Sequence, residues 1–367
     1  MSIHSVYFAA FAFVMGAAIG SFLNVCIYRM PRNLSVNEPR RSFCPSCKYQ
    51  IPWWNNLPLF SWLSLRGKCA NCGAPISFRY FGVELLTGLL FLGVWLKCWP
   101  SAWLVALPYW VLVSLLVVAT FIDFEFFIIP DEITIGGTVA GIVLSVAVPW
   151  MHGTDSALMG GVWAAVGAAA GYFLLWSVVE LGKLAFGKKK LVFEKPEPLS
   201  WIRKDQDANL KVAEDEMLWS DFFERGSEQL HMECKSIEVD GEKFTDTCAK
   251  WTLDWLEIGE RKWQLEKTDK VTGEVTKVIF PREAMGFGDV KFIACIGAFL
   301  GWKAVLFTVM AASVIGAAFG VGAIIARRRE ASAKIPFGPY LALGALVWLF
   351  VGQNLLTWYL RLSLGPE

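Results

Sequence analysis

The chain has 367 residues, of which 55% are hydrophobic and 18% charged, with a mean hydropathy of +0.45. Soluble domains carry about 25% charged residues, so an ordinary soluble globule and a disordered chain are both excluded. Lys and Arg total 34 against 33 Asp and Glu, and this balance points to no partner; placement is more informative, since 22 of the 33 acidic residues fall between Lys188 and Glu283. The pattern is that of a polytopic membrane protein carrying one large water-soluble insert.

A bilayer-spanning helix needs about 20 mostly apolar residues. The first such run, Val6 to Tyr28, has no Lys or Arg before it and ends in Tyr28-Arg29-Met30-Pro31-Arg32. A cleaved signal peptide has the reverse flanks, so a retained anchor is expected. Further runs are Phe81 to Leu96, Leu104 to Ile122, Ile133 to Trp150, Ala157 to Val179, Phe292 to Leu300 with its flanks, Val305 to Ala326 and Tyr340 to Leu360. The expected fold is therefore an all-α polytopic membrane protein of about eight transmembrane helices, with a small zinc-binding segment and an α+β, mostly β, insert. The expected divisions are 1–28 (first helix), 29–80 (four-cysteine segment), 81–186 (helices two to five), 187–283 (insert) and 284–367 (helices six to eight).

Lys and Arg placement orients the spans. Arg29, Arg32, Arg40, Arg41, Lys48, Arg66, Lys68 and Arg79 crowd the segment after the first span, Lys188-Lys189-Lys190 open the insert, and Arg327-Arg328-Arg329 with Lys334 mark another basic loop. With eight spans these segments share one face, which is expected to be cytoplasmic, with both termini outside. Glycine spacing such as Gly16 to Gly20 and Gly316 to Gly320 suits close helix packing.

Within the insert, Leu210, Val212, Met217, Leu218 and Phe222 have helical spacing, predicting a helix over 205–225. Alternating stretches predict strands at Ser236 to Val239, Lys243 to Thr247, Trp251 to Ile258, Lys262 to Glu266 and Glu274 to Phe280, with turns at Asp240-Gly241 and Thr272-Gly273. Gly182 to Lys190 and Pro281 to Met285 read as hinges. His231 and Cys234 read as a surface histidine and a packed thiol.

Four of the nine cysteines form two pairs, Cys44-Pro45-Ser46-Cys47 and Cys69-Ala70-Asn71-Cys72, separated by 21 residues. Each C-x-x-C turn aims two thiolates at one point, and two turns supply a tetrahedral site for a structural Zn²⁺. Such a site would pin a polar segment too small to build its own core.

Two aspartates stand at membrane boundaries, Asp123 in Phe121-Ile122-Asp123-Phe124-Glu125 and Asp289 in Gly286-Phe287-Gly288-Asp289-Val290-Lys291. Two carboxylates brought together in such a setting share a proton, one acting as general base toward water and the other as acid. Ionisable residues at this depth point to function. Gly286 and Gly288 would let the backbone kink and approach a substrate strand. Glu125, Asp131 and Glu132 compete as solvated or orienting groups, and Lys291 as an ion-pair partner of the two aspartates.

These residues resemble the type IV prepilin peptidases, the leader peptidase/N-methyltransferases. The likeness runs through Gly20-Ser21-Phe22-Leu23-Asn24-Val25-Cys26-Ile27-Tyr28-Arg29-Met30-Pro31, the paired cysteines, Asn56-Leu57-Pro58, Ser61-Trp62-Leu63, Arg66-Gly67, Pro75 to Tyr80 and Glu84-Leu85-Leu86. It continues through the Asp123 segment, Gly286-Phe287-Gly288-Asp289 with Lys291, and Ile335-Pro336-Phe337-Gly338-Pro339. The resemblance implies a GXGD-type membrane aspartic protease with catalytic positions Asp123 and Asp289. It also implies that the enzyme cuts type IV prepilins or pseudopilins of type II secretion after a glycine, then N-methylates the new amino terminus with S-adenosylmethionine. The implied location is the bacterial inner membrane, in contact with membrane lipids and with pilus or secretion assembly proteins, and no nucleic acid partner is expected. The zinc-bearing segment favours the bifunctional type over a peptidase without methyltransferase activity. No dinucleotide-type glycine motif places the methyl donor, and Asn24, Arg29 and Glu84 are the residues for a substrate or cofactor role. The long insert departs from the family pattern. A non-catalytic scaffold would dispense with the aspartates, and a proton-coupled transporter would want carboxylates at mid-bilayer.

Overall fold

The computed structural model describes residues 3–39, 41–186, 188–204, 207–213, 215–219, 229–281, 286–325 and 336–364. The basic loop Arg327-Arg328-Arg329 with Lys334, Arg40, Phe222 and the expected hinge after Pro281 lie outside the described residues. The chain divides into two units, Met1–Trp176 with Phe287–Glu367, and Ser177–Gly286.

The first unit is helical. Its main elements are α1 (Ile3–Arg29), the short α2 (Phe60–Ser64), α3 (Phe78–Cys98), α4 (Ala106–Phe126), α5 (Asp131–Ala147), most of α6 (Ala157–Phe186), α7 (Phe287–Leu300), α8 (Trp302–Ile325), α9 (Gly338–Val347) and α10 (Gln353–Leu364). A π-helical turn at Trp348–Gly352 joins α9 to α10. Each expected span is helical over most of its described part, but among the described residues six helical stretches are long and apolar enough to cross a bilayer. The expected fourth and sixth spans are α5 and α7, of 17 and 14 residues. At 1.5 Å per residue they reach about 26 and 21 Å, short of the roughly 30 Å hydrocarbon core. The physical reason is punctuation: Pro130 and Pro149 flank α5, and Gly301, at φ +79°, stops α7.

Close glycine contacts position these helices. A Cβ on Gly167 of α6 would stand 2.1 Å from the Gly297 carbonyl of α7, and a Cβ on Gly297 would stand 2.2 Å from the Gly167 carbonyl. The two backbones touch where no side chain fits. On α1, a Cβ at Gly16 would meet Phe91 at 2.7 Å and one at Gly20 would meet the Glu84 Cα at 2.8 Å, so α3 lies directly on this face. Gly316 rests against Tyr340 of α9.

The second unit is an antiparallel sheet of eight strands: β1 (Lys188–Lys204), β2 (Asp207–Val212), β3 (Asp215–Leu218), β4 (Leu230–Val239), β5 (Glu242–Trp251), β6 (Trp255–Ile258), β7 (Arg261–Gln264) and β8 (Lys270–Pro281), in the order β3-β2-β1-β8-β4-β5-β6-β7. Asp240 and Gly241 turn the β4–β5 hairpin with both φ positive, 50° and 84°, the geometry that this dipeptide favours. The expected helix over 205–225 is instead β2 and β3 across its described part. Ala208, Leu210 and Val212 are buried in alternation, a period of two that outweighs the longer-range helical spacing. Thr272-Gly273 is not a turn: Gly273 lies inside β8, where a Cβ would meet the Ser236 carbonyl at 2.2 Å. The expected strand Trp251 to Ile258 breaks at 252–254. The expected hinge Gly182 to Lys190 runs instead through the end of α6 and the start of β1.

The sheet buries Trp201, Trp219 and Trp251 together, with ring centroids 5.3–6.4 Å apart, and the packed thiol of Cys234 belongs to the same core. Lys188 pairs with Pro281, so the strands that enter and leave the sheet run side by side.

Replacing Gly167 or Gly297 with Leu should lower the thermal midpoint of the detergent-solubilised protein, by an overpacking cost of about 1–3 kcal/mol. Gly136→Leu and Gly322→Leu, where a Cβ meets nothing within 4 Å, should leave it unchanged. Thermal unfolding of the four variants checks the α6–α7 contact.

Candidate functional site

Asp123 lies one turn before the end of α4. The helix stops because Phe127 turns left-handed, at φ 55°, and donates its N–H to the Asp123 carbonyl at 3.0 Å. The Asp123 side chain is only 5% exposed. Its Oδ2 accepts the Gly338 N–H at 3.0 Å. Gly338 begins α9, with Pro339 directly behind it, so the carboxylate meets the positive end of a helix. A Cβ at 338 would lie 2.6 Å from Asp123 Oδ2 and 2.9 Å from Ile129 Cδ1, so any other residue there would displace these side-chain ends.

Asp289 is the third residue of α7 and 8% exposed. Its neighbour Gly288 faces Ile129, with a Cβ position 3.5 Å from the Ile129 Cβ and amide nitrogen. Ile129 therefore touches both the residue that holds Asp123 and the residue beside Asp289. The short segment between α4 and α5 is wedged against the starts of α7 and α9, and α7 also packs on α4 and α9. Gly288 sits within the first turn of α7, and a Cβ there would make ordinary contact. Gly286 directly precedes the helix.

Lys291 Nζ donates to Asp131 Oδ1 at 2.6 Å, which ties α7 to the first turn of α5. Asp131 is thus an exposed ion-pair partner. Glu125 is bound by Arg79, and Glu132 is exposed. Two residues beside Asp123 were given no role by the sequence reading: Gly338, which enters it only within the resemblance, and Ile129. A Gly-Pro pair opening the last apolar run was the available signal for the first; an isoleucine among Phe and Ile gave none for the second.

The four cysteines form a true cluster, their Sγ atoms all within 4.8 Å of one another. The two knuckles share one backbone plan. Cys44 N–H donates to Tyr49 O and Lys48 N–H to Cys44 O; Cys69 N–H donates to Ala74 O and Gly73 N–H to Cys69 O. The residue after each second cysteine, Lys48 or Gly73, turns left-handed at φ 59° or 71°. Isolated bridges Phe43–Gln50 and Lys68–Pro75 close the two loops. The Tyr49 amide and then the Asn71 side chain, whose Nδ2 lies 3.6 Å from the sulfur, pull the Cys47 thiol down to about 6. Backbone amides of Cys72 and Asn71 lower Cys69 as well. At Cys72 the Ala74 amide also lowers the thiol, but hydrogen bonds to Cys47 and the other two thiols outweigh it and raise the group to about 11. The donors thus favour the thiolate, the form that binds metal, at Cys47 and Cys69. Among the described residues this is the one group of three or more such ligands close enough to share an ion.

Arg29 is buried and donates to the Ser35, Val36 and Pro39 carbonyls, each at 3.0 Å. It organises the loop after α1 rather than reaching for the bilayer surface. Asn24 Nδ2 donates to Tyr80 O at 3.0 Å, and Glu84 Oε2 accepts the Leu59 N–H at 2.7 Å. The three gather near the cysteine knuckles, apart from Asp289 in the chain and on other helices.

Residues 14–98 match the Bacterial Peptidase A24 N-terminal domain, and residues 110–193 with 271–321 match the Type IV leader peptidase family. The gap between the last two stretches falls within the β sheet. A prepilin leader peptidase/N-methyltransferase of Aeromonas hydrophila is 30% identical over 97% of this chain and 94% of its own length. One from Myxococcus xanthus is 43% identical over 53% of this chain and 57% of its own length, and one from Stutzerimonas stutzeri is 27% identical over 97% and 95%. No solved structure matches. The chain belongs to the prepilin leader peptidase/N-methyltransferase family.

Proposed function

We propose that Asp123 and Asp289 are the acid–base pair with which the chain removes the leader from prepilins or pseudopilins, before methylating the new amino terminus. The observation that supports this reading best is the shared wedge at Ile129, which brings the start of α7 against the segment that follows Asp123. One carboxylate takes a proton from water, whose oxygen attacks the scissile carbonyl carbon. The other supplies a proton to the substrate, so that the carbon–nitrogen bond breaks and a neutral amine leaves. Gly338 holds one oxygen of Asp123, which fixes the carboxylate plane without a second charged group beside it.

The substrate's chemistry suits the position of the aspartates. A basic leader stays in water and the helix behind it lies in the bilayer, so the scissile bond sits at the boundary, where α4 ends and α7 begins. The basic residues around the cysteine knuckles support a boundary on the cytoplasmic side of a bacterial inner membrane. Zinc is the metal that four clustered thiolates suit. Its role is structural, holding together a polar segment with no core of its own; the aspartates need no metal. S-adenosylmethionine supplies the methyl group.

Asp123→Asn and Asp289→Asn should each abolish cleavage of a co-expressed prepilin while the protein stays in the membrane, since an amide cannot exchange the proton. Asp131→Asn loses only an exposed ion pair with Lys291 and should be much milder. Full processing by either of the first two variants removes that residue from the mechanism.

Metal analysis of protein never exposed to chelator should find about one zinc per chain. Cys44→Ser with Cys72→Ser should release it and loosen the segment to proteolysis, with methylation suffering more than cleavage. Protein lacking zinc from the outset contradicts the assignment.

A further inference from the structure

The stretch between the two cysteine knuckles turns apolar side chains outward. Trp53, Trp54, Phe60 and Leu63 are each 57–73% exposed, and so is Phe78 at the start of α3. Trp53 and Trp54 stand with ring centroids 5.8 Å apart, and Phe60 and Leu63 share one face of α2. The inward side is different: Asn55, Ser61 and Trp62 line a cavity of about 450 Å³ bounded by α1, α3, the knuckles and the end of α4. Single exposed apolar residues are ordinary, but large ones paired in this way mark a surface that meets something other than water.

Depth decides what covers it. α3 has 21 residues, about 31 Å at 1.5 Å per residue, so crossing a core of roughly 30 Å uses almost all of its length. Glu84 comes six residues after Phe78, about 9 Å along the helix axis. Its Oε2 accepts the Leu59 N–H at 2.7 Å, and the Trp62 ring packs on Phe78 and Phe81 with centroids 5.6 and 5.3 Å away. The loop before α2, and α2 itself, are thereby held beside the first two turns of a membrane-spanning helix. Elements that lie in a bilayer surface reach about 5–10 Å into it, and aromatic rings are favoured at that level. The backbone has the form this depth requires, since irregular chain there must satisfy its amides within the protein. From Asn55 to Ser61 every amide does so. Asn55 and Asn56 donate to the Pro52 and Trp53 carbonyls, Leu57 to the Ser61 hydroxyl, Leu59 to Glu84, and Phe60 and Ser61 to the Pro58 and Leu57 carbonyls; Pro58 has none to place. Leu59, at φ 62° and ψ −50°, centres a strained γ-turn that the Glu84 bond holds in place.

We propose that Trp53, Trp54, Phe60 and Leu63 form an interfacial anchor that seats the knuckle segment in the leaflet where α3 begins. The partner is the lipid surface itself, at the boundary of headgroups and acyl chains. Arg66 and Lys68, exposed just after α2, suit anionic headgroups. The anchor gives the segment an attachment to the membrane besides α1 and α3. It also keeps the cavity wall made by Asn55, Ser61 and Trp62 at the bilayer surface.

The test uses the full chain in vesicles of phosphatidylethanolamine and phosphatidylglycerol. These carry a phosphatidylcholine with a diazirine near the carboxyl end of one acyl chain. After illumination, trypsin should release residues 49–66 as one peptide, because it cuts after Lys48 and Arg66 and no Lys or Arg lies between them. That peptide contains no part of α3. It should carry lipid, and more of it than when the diazirine sits at the chain terminus. Trp53→Ser combined with Phe60→Ser should lower its label severalfold at unchanged zinc content, while the label on α8 stays constant. Wild-type labelling needs no variant, so misfolding cannot hide the answer. Lipid on the membrane helices but none on 49–66 overturns the anchor, and so does label unaltered in the double variant. Capture of 49–66 by a photoreactive prepilin helix or by a second copy of the chain, where the lipid probe gives none, overturns it as well and names that occupant instead.

Discussion

A carboxylate buried among apolar helices has to be met by a donor, and at Asp123 the donor is a backbone amide. A lysine or arginine there would neutralise the group and remove it from proton chemistry. The Gly338 N–H fixes one oxygen and leaves the charge on the carboxyl group itself. The hydrogen bond also has a steric condition, because the amide reaches Asp123 only if no side chain intervenes. Meeting that condition sets the approach of α9 to the end of α4. Ile129 then fills the remaining space and extends the contact to Gly288, so the placement of α7, and with it Asp289, follows from the same packing.

The end of α4 is shared by two neighbourhoods. Asp123 faces α9 and the Ile129 wedge, while Glu125 is bound by Arg79 in the wall of the cavity beside the knuckles. A helix advances 100° per residue, so two residues apart point well away from each other. One helix end thus presents carboxylates to two different surroundings. The knuckles supply the far wall, and α1 and α3, drawn together by Gly16 and Gly20, supply the floor.

The sequence carried the chemistry better than the geometry. Paired cysteines and boundary aspartates announce themselves by type and spacing, as does the Asp240-Gly241 hairpin, whose two left-handed residues favour that dipeptide. Helix counting was not confirmed where length mattered: α5 and α7 are apolar enough to look like spans, yet Pro130, Pro149 and Gly301 bound them at 17 and 14 residues. The 205–225 segment misled because Leu210, Val212, Met217 and Leu218 satisfy a helical stripe while Ala208, Leu210 and Val212 also satisfy a strand. Sheet pairing with β1 decided between them. Thr272-Gly273 looked like a turn because glycine serves both turns and close backbone approach, and only the neighbouring strand tells which. Arg29 could be read as a membrane-edge arginine, since its three carbonyl partners lie in a loop that no periodicity describes.

The role proposed for Asp123 requires the Gly338 amide to hold its carboxylate, and the turnover of a purified Gly338→Ala variant on a prepilin tests this most directly. The added methyl would fall 2.6 Å from Asp123 Oδ2, so the carboxylate must move. Misplacement by about 1 Å costs roughly 10²-fold in rate. A fall in kcat of that order is expected, with KM and zinc content close to wild type. A variant that cleaves at the wild-type kcat would contradict it.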